Sequence, residues 1–230
     1  MNSNNQHKTA ILIFAYSSEE EVKHKQIIHG DRLFNSMTAR TIKTVEKSKL
    51  PYFHYSEKHQ VGYTFGERFS NAIQTIFDKG YDNVITIGND SPQLKTEHLC
   101  KACIALDANK VVFGPSTDGG FYLMGLNKFQ FNSLQFKNLP WQTSHIRNAI
   151  LQIEALKDSA VSFLPALMDV DSVEDIKAIV NYIYILSQEV LVILLSILQG
   201  AKKVIKDFLA LFYYNTLTVL FNKGSPQYSN

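Results

Sequence analysis

The chain has 230 residues, 45% of them apolar and 19% charged, a globular composition that excludes a disordered or fibrous protein. Its net charge of +2 is too small to imply a nucleic-acid partner, and its two cysteines exclude a disulfide framework. The length suits one α/β domain, or a domain of about 150 to 180 residues with an appendage.

In chain order, a polar start leads into AILIFA at 10–15. This run reads as a first strand and not as a signal peptide, because no small-residue cleavage site follows. Sparse cysteine then makes a reducing cytoplasm the expected compartment. A helical pattern over 31–48 precedes a second strand at 51–55, PYFHY. The next helix, 66–79, gathers Phe65, Phe69, Ile73, Ile76 and Phe77 on one face and stops at Gly80. VITIG at 84–88 is the third strand. Pro92 forces a turn after it, and Thr96 is expected to cap a helix over 97–107 with Glu97 in its first turn. That helix carries a C-x-x-C, Cys100 and Cys103, with His98 nearby. With no second such pair in the chain, it reads as helix packing and not as a metal or redox motif. Strands follow at 111–113 and 121–126. Strands alternating with helices argue for a mostly parallel sheet covered on both faces, whose ligands bind beyond the carboxyl ends of the strands.

Three acidic groups draw the eye to that edge. Asp90, behind Asn89, follows the third strand, where a carboxylate either turns the backbone or projects toward a ligand. Asp118 precedes Gly119 and Gly120 between two apolar runs. Asp-Gly is a hairpin signal, and the glycine pair also lets backbone approach a ligand. In LPALMDVDSVEDI, an extended 168–171 would point Asp169 and Asp171 the same way, while Ser172 and Asp175 form a capping box for the next helix. Carboxylates converging from distant segments, with no thiolate nearby, suit Mg²⁺ or Mn²⁺ bridging to phosphates.

Five stretches in this order, QVGYTFGERF, GNDSP, GPSTDGGFYLMGL, LPWQTS and DVDSVEDI, give the segment 9–178 a family resemblance. It resembles a little-characterised family of glycosyltransferase-like bacterial proteins with the GT-A fold, akin to molybdenum-cofactor guanylyltransferases and phospholactate guanylyltransferase. The resemblance implies a GT-A-like three-layer α/β/α sandwich at 1–178, of the nucleotide-diphospho-sugar transferase type, with a helical extension at 179–230. It implies a divalent-metal-dependent transferase acting on a nucleotide-sugar or nucleoside triphosphate donor and a small-molecule acceptor. Nucleotidyl transfer of the guanylyltransferase kind and a catalytically degenerate binding or scaffold module of the same fold are the rival readings.

Carried over by motif, Asp90 and Asp171 would hold Mg²⁺ or Mn²⁺ with Asp169 in support, and Asp118 would join them as a catalytic acid. Gly119, Gly120 and Trp141 would line the acceptor pocket, while Gln60, Gly62, Arg68 and Asn89 would meet the nucleotide. Relatives carry a Pro-Gly turn and then Lys-Thr-Arg-Leu after the first strand. Here SSEEEVKHKQI has no glycine and three glutamates, and Lys23 and Lys25 keep the positive charge that would meet phosphates. Arg32 or Arg40, on the following helix, are the alternative phosphate ligands.

Beyond Asp175 the apolar positions 176, 179, 180, 183, 186, 190, 193, 194 and 197 describe one amphipathic helix ending at Gly200, followed by a second helix rich in Phe and Tyr. Neither reads as a membrane span. Packing on the sheet, a homodimer seam and peripheral membrane contact through Lys202, Lys203 and Lys206 are the readings they allow.

Overall fold

The first strand, β1 (Thr9–Phe14), is a continuous apolar run because both of its faces are covered. Ala10 and Leu12 point to one side, where they meet Ile73, Ile76 and Phe77 of α3 (Phe65–Asp78). Ile11 and Ile13 point to the other, against Val45 of α2 (Gly30–Ser48) and Leu99, Ala102 and Leu106 of α4 (Thr96–Asp107). The structure, a computed structural model, describes residues 7–25, 27, 30–143, 145–153, 156, 159–181, 186 and 188–198. The result is the expected three-layer α/β/α sandwich, with a sheet between two helical layers.

Six strands build that sheet in the order β2-β1-β3-β5-β4-β6. They are β1, β2 (Tyr52–Tyr55), β3 (Asn83–Ile87), β4 (Val111–Pro115), β5 (Phe121–Asn127) and β6 (Val161–Phe163). β1 pairs in parallel with β2 and β3, and β4 with β6, while β5 runs antiparallel to both β3 and β4. The sheet is therefore mostly parallel, with one reversed strand. That reversal places the start of β5 at the same edge as the ends of β1, β3 and β4. Asp118 and Gly119 make the turn of the β4–β5 hairpin, and Gly119 takes a φ of +102° that suits a residue without a β-carbon.

Most elements match the sequence reading within one or two residues, and three departures have clear causes. Thr96 is the first helical residue and not the cap; its hydroxyl donates to Thr44 O at 2.9 Å, while Lys95 occupies the cap position. The glutamate-rich stretch that stands where relatives carry a Pro-Gly turn is a helix, α1 (Ser18–His24), capped by Ser17. Its first turn holds Glu19, Glu20 and Glu21, where negative charge is favoured by the helix dipole. After two short helices, α5 (Ser133–Lys137) and α6 (Ile146–Leu151), the helix expected to run from 176 to 200 is divided into α7 (Val173–Val180), ended by Asn181, and α8 (Gln188–Ile197). A straight helix of that length would extend about 37 Å. Broken in two, the segment brings Ile176, Ile179, Val190 and Leu194 onto one cluster with Leu33, Phe34 and Met37 of α2.

The Ser172–Asp175 capping box opens α7 as expected. Cys100 is exposed and Cys103 half-buried on α4, packed beside the core. The second tail helix read from the sequence lies outside the described residues. Among the described residues no helix is long and apolar enough to cross a membrane.

The packing of α8 on α2 has a direct test. Leu194 is fully buried, so Leu194→Ala is expected to lose about 2 to 5 kcal/mol in urea unfolding, as Leu99→Ala should in the sheet core. A loss below about 0.5 kcal/mol, the usual surface value, would place α8 outside the cooperative unit.

Candidate functional site

Segments from across the chain end at one edge of the sheet. Ala15 and Tyr16 follow β1, Gly88 to Asp90 follow β3, Ser116 follows β4, and Gly120 leads into β5. The segment before α7 is laid along the same edge by backbone hydrogen bonds. Thr117 N–H donates to Leu167 O at 2.9 Å, and Val170 N–H donates to Asp90 O at 3.0 Å. This last bond brings the DVD stretch beside the acid at the tip of β3.

The two acids meet at a lysine. The Lys25 ammonium lies 2.9 Å from Asp171 Oδ1, 3.3 Å from Asp90 Oδ2 and 3.4 Å from Glu21 Oε2. It also donates to Val170 O at 3.2 Å and sits 5.4 Å from the centre of the Phe34 ring. Burial alone would push this ammonium's pKa down, but the charges of Asp90, Glu21 and Asp171 hold it above the ordinary lysine range. Glu21 is shifted up, first by its own burial and against the pull of Lys25.

Asp169 is more deeply enclosed. It accepts a hydrogen bond from the Ser91 hydroxyl. Burial, then the charge of Asp90, raises its pKa from 3.8 to about 7, although Ser91 and Ser116 pull the other way. Burial and then Asp169 also push up the Tyr122 phenol, which donates to Pro165 O at 3.1 Å. Asp118 is held by the Ser116 hydroxyl and by the Gly120 N–H at 2.9 Å.

Around these acids the edge opens into a cleft of two chambers. One, of about 500 Å³, is lined by Tyr16, His24, Lys25, Gln60, Arg68 and Asn89. The other, of about 490 Å³, is walled by Phe121, Tyr122 and Trp141 with Ser116, Asp118 and Asp169. Asp90, Asp171, Gly88, Gln142, Phe14 and Phe65 border both. Asp90 and Asp171 thus stand where the chambers join.

Of the residues singled out in the sequence, Lys25, Gln60, Arg68 and Asn89 share the first chamber, and Asp118, Gly120, Trp141 and Asp169 the second. Arg68 is neither free nor paired with Glu67. It donates to Gln60 Oε1 at 3.3 Å, Tyr63 O at 3.1 Å and the Tyr16 hydroxyl at 3.1 Å. Asn89 donates to Thr38 Oγ1 at 2.8 Å, which ties the β3 tip to α2. Trp141 gives its indole N–H to Phe136 O at 2.6 Å and packs on Phe65 and Phe69.

Other residues fall outside the cleft lining. Gly62 has a φ of +136° and sits over the Glu67–Arg68 backbone, where it shapes the loop without lining a chamber. Gly119 serves the hairpin turn. Lys23 is turned to solvent and paired with Glu20 at 2.6 Å. Arg32 is exposed, and Arg40 donates to Leu94 O at 3.2 Å between α2 and α4, so neither reaches the cleft. The N-terminus of α1 is also occupied: Glu57 accepts from Ser17 N–H at 2.8 Å and from its hydroxyl at 3.1 Å.

Tyr16, His24, Glu21 and Tyr122 were not anticipated. Tyr16 and His24 stack with centroids 5.1 Å apart. Their sequence neighbours carry no motif, but Glu21 and Lys25 stand four apart on a helical stretch, a spacing that signals an ion pair.

Comparison with known proteins agrees with the fold. Residues 38–143 match a family described as an uncharacterized protein conserved in bacteria, DUF2064. No curated protein matches the sequence. A crystal structure of a proposed nucleotide-diphospho-sugar transferase from Desulfovibrio desulfuricans G20 is similar, with 22% identity and a TM-score of 0.69 over 88% of this chain and 98% of that one. This likeness establishes the fold. A cytidylyltransferase from Leptospira borgpetersenii serovar Hardjo-bovis is 12% identical, with a TM-score of 0.42 over 96% of this chain and 100% of that one. A mannosyltransferase from Pyrobaculum calidifontis, in complex with GDP-Man and Mn²⁺, is 10% identical, with a TM-score of 0.42 over 95% and 82%. Both are too distant to bear on the chemistry of this chain. The resemblance drawn from the five motifs stands, and the GT-A-like fold it implied is the fold observed.

The raised carboxyl of Asp169 has a consequence for stability. Between pH 3.8 and about 7 the folded protein holds a proton that the unfolded chain has released, so this group costs stability increasingly as pH rises. Asp169→Asn removes that cost while keeping an acceptor for Ser91. In chelator-treated buffer the variant is expected to melt above the wild type at pH 8 and to lose its advantage by pH 4. A difference that does not change with pH would show that burial of the charge is not what matters.

Proposed function

We propose that the cleft binds a nucleotide-activated donor in one chamber and a small acceptor in the other, and transfers a glycosyl or nucleotidyl group between them. The observation that carries this reading is the position of Asp90 and Asp171 on the border of two chambers, each within the roughly 300–1,000 Å³ range of small-ligand sites. Fold likeness to a proposed nucleotide-diphospho-sugar transferase supports it at a coarse level.

In this reading Lys25, Arg68 and Gln60 meet the phosphates and Asn89 fixes the tip of β3 beside them. The apolar wall of Phe121 and Trp141 seats the acceptor, and Asp118, already oriented by Ser116 and Gly120, accepts a hydrogen bond from its hydroxyl. Among the described residues no group of three or more His, Cys, Asp or Glu side chains is arranged to hold a metal ion. Two carboxylates with substrate phosphates are nevertheless an ordinary Mg²⁺ donor set. The donor chemistry also fits on charge grounds. Glu21, Asp90 and Asp171 outweigh the one ammonium they share, so a phosphate entering beside them needs further positive charge. Asp90 and Asp171 would hold Mg²⁺ or Mn²⁺, which when bound offsets the charge that builds on a departing phosphate.

A catalytically degenerate binding module is the second reading, favoured by the N-terminus of α1, where Glu57 occupies the Ser17 N–H. Product analysis with labelled donors separates it from a transferase and separates glycosyl from nucleotidyl transfer.

The binding step is tested by a thermal-shift panel of nucleotides and nucleotide sugars with and without Mn²⁺. A ligand at a hundred times its Kd adds about 2.7 kcal/mol, a shift of roughly 5 to 10 °C for a chain of this size. At least one nucleotide should give such a shift with Mn²⁺, and Asp90→Asn should abolish it while remaining folded. No shift with any nucleotide, or a full shift in the variant, would overturn the proposal.

A further inference from the structure

Lys25 is positioned as a metal ion would be. Its ammonium is surrounded by oxygen atoms from Asp171, Asp90, Glu21 and Val170, at 2.9, 3.3, 3.4 and 3.2 Å. Its side chain is only 14% exposed. Two of those oxygens belong to the acids that would serve a divalent cation, and two cations cannot share the point between them. An ammonium there contributes one charge, against at least three carboxylate charges around it, so the position remains net negative with Lys25 in place.

The lysine is also placed to leave. Lys25 is the C-cap of α1, with φ −110° and ψ 108°, so its stem departs from the end of a helix and not from within one. It lines the chamber shared with Tyr16 and Arg68, on the side away from Asp118 and Asp169. A phosphate group in that chamber offers the ammonium a new partner.

We infer that Lys25 is a built-in counter-ion that occupies the divalent-cation position of the ligand-free protein and competes with the ion for Asp90 and Asp171. The inference rests on the proposed donor-binding reading. It adds that cation loading is held back until Lys25 moves toward phosphate. The arrangement keeps the acids together and offsets part of their charge before a ligand enters, and it makes divalent binding depend on what enters the donor chamber.

The test is Mn²⁺ binding, read from the paramagnetic resonance signal of the free ion during titration of the full chain without nucleotide. Removing Lys25 alone changes the local charge, so the principal variant is Glu21→Gln with Lys25→Met, which removes one negative and one positive charge together. It is expected to bind Mn²⁺ at least ten-fold more tightly than the wild type, and adding Asp90→Asn should erase the gain. Glu21→Gln with Lys25→Gln, which also conserves net charge and whose amide at position 25 can still donate to Asp171, is expected to show a gain as well, and it stands in should the first double variant not fold. Wild-type or weaker Mn²⁺ binding in these variants overturns the inference and leaves the nucleotide panel to judge the donor site separately. A gain in Mn²⁺ affinity with no nucleotide shift in the panel would keep the cation position and reject the transferase reading.

Discussion

Three carboxylates at positions 21, 90 and 171 are gathered around one ammonium, and this shared charge is the constraint on which the cleft depends. Carboxylates crowded together there without it would repel one another. Lys25 holds them within hydrogen-bond reach, and the bond from Val170 N–H to Asp90 O fixes the later segment in register with the tip of β3. The same contacts set the border between the chambers. Asp169, one step behind that border and without an ammonium partner among the described residues, is where burial shows, as its raised pKa records.

The fold supplies the edge at which these groups can meet. Five strands share a direction, and their carboxyl ends place Tyr16, Asp90 and Ser116 along one rim. The reversed strand β5 brings its amino end to the same rim, which is how Gly120 and Phe121 come to face residues from β3. The α2 helix supports the arrangement from below through the Asn89–Thr38 bond, the Phe34 ring under Lys25 and the cluster shared with α7 and α8. The first helix of the C-terminal region therefore packs onto the element that underlies the cleft.

Much of this was legible in the sequence. The central strands are continuous apolar runs because both faces are buried, and α3 shows its core stripe because only one face is. The Ser172–Asp175 cap and the Asp118–Gly119 turn are local arrangements whose partners lie within a few residues. Elements that depend on distant partners were not legible. β6 is three half-exposed residues that become a strand only by pairing with β4. α1 has too few apolar residues to show a stripe. The break between α7 and α8 lets both helices share a cluster with α2, a distant contact that no local pattern encodes.

The sequence by itself determined the central strands and the longer helices of the sheet layers, which faces they bury, and that several acids fall at strand ends. Those properties arise from backbone geometry and side-chain periodicity, which repeat over a few residues. Only the tertiary structure decided which charge meets which. It paired Lys25 with Asp90 and Asp171, turned Lys23 to solvent, and closed the start of α1 with Glu57. Ion pairs and hydrogen bonds act over a few ångströms in space, and the separation of two residues along the chain says nothing about that distance once the strands have been ordered.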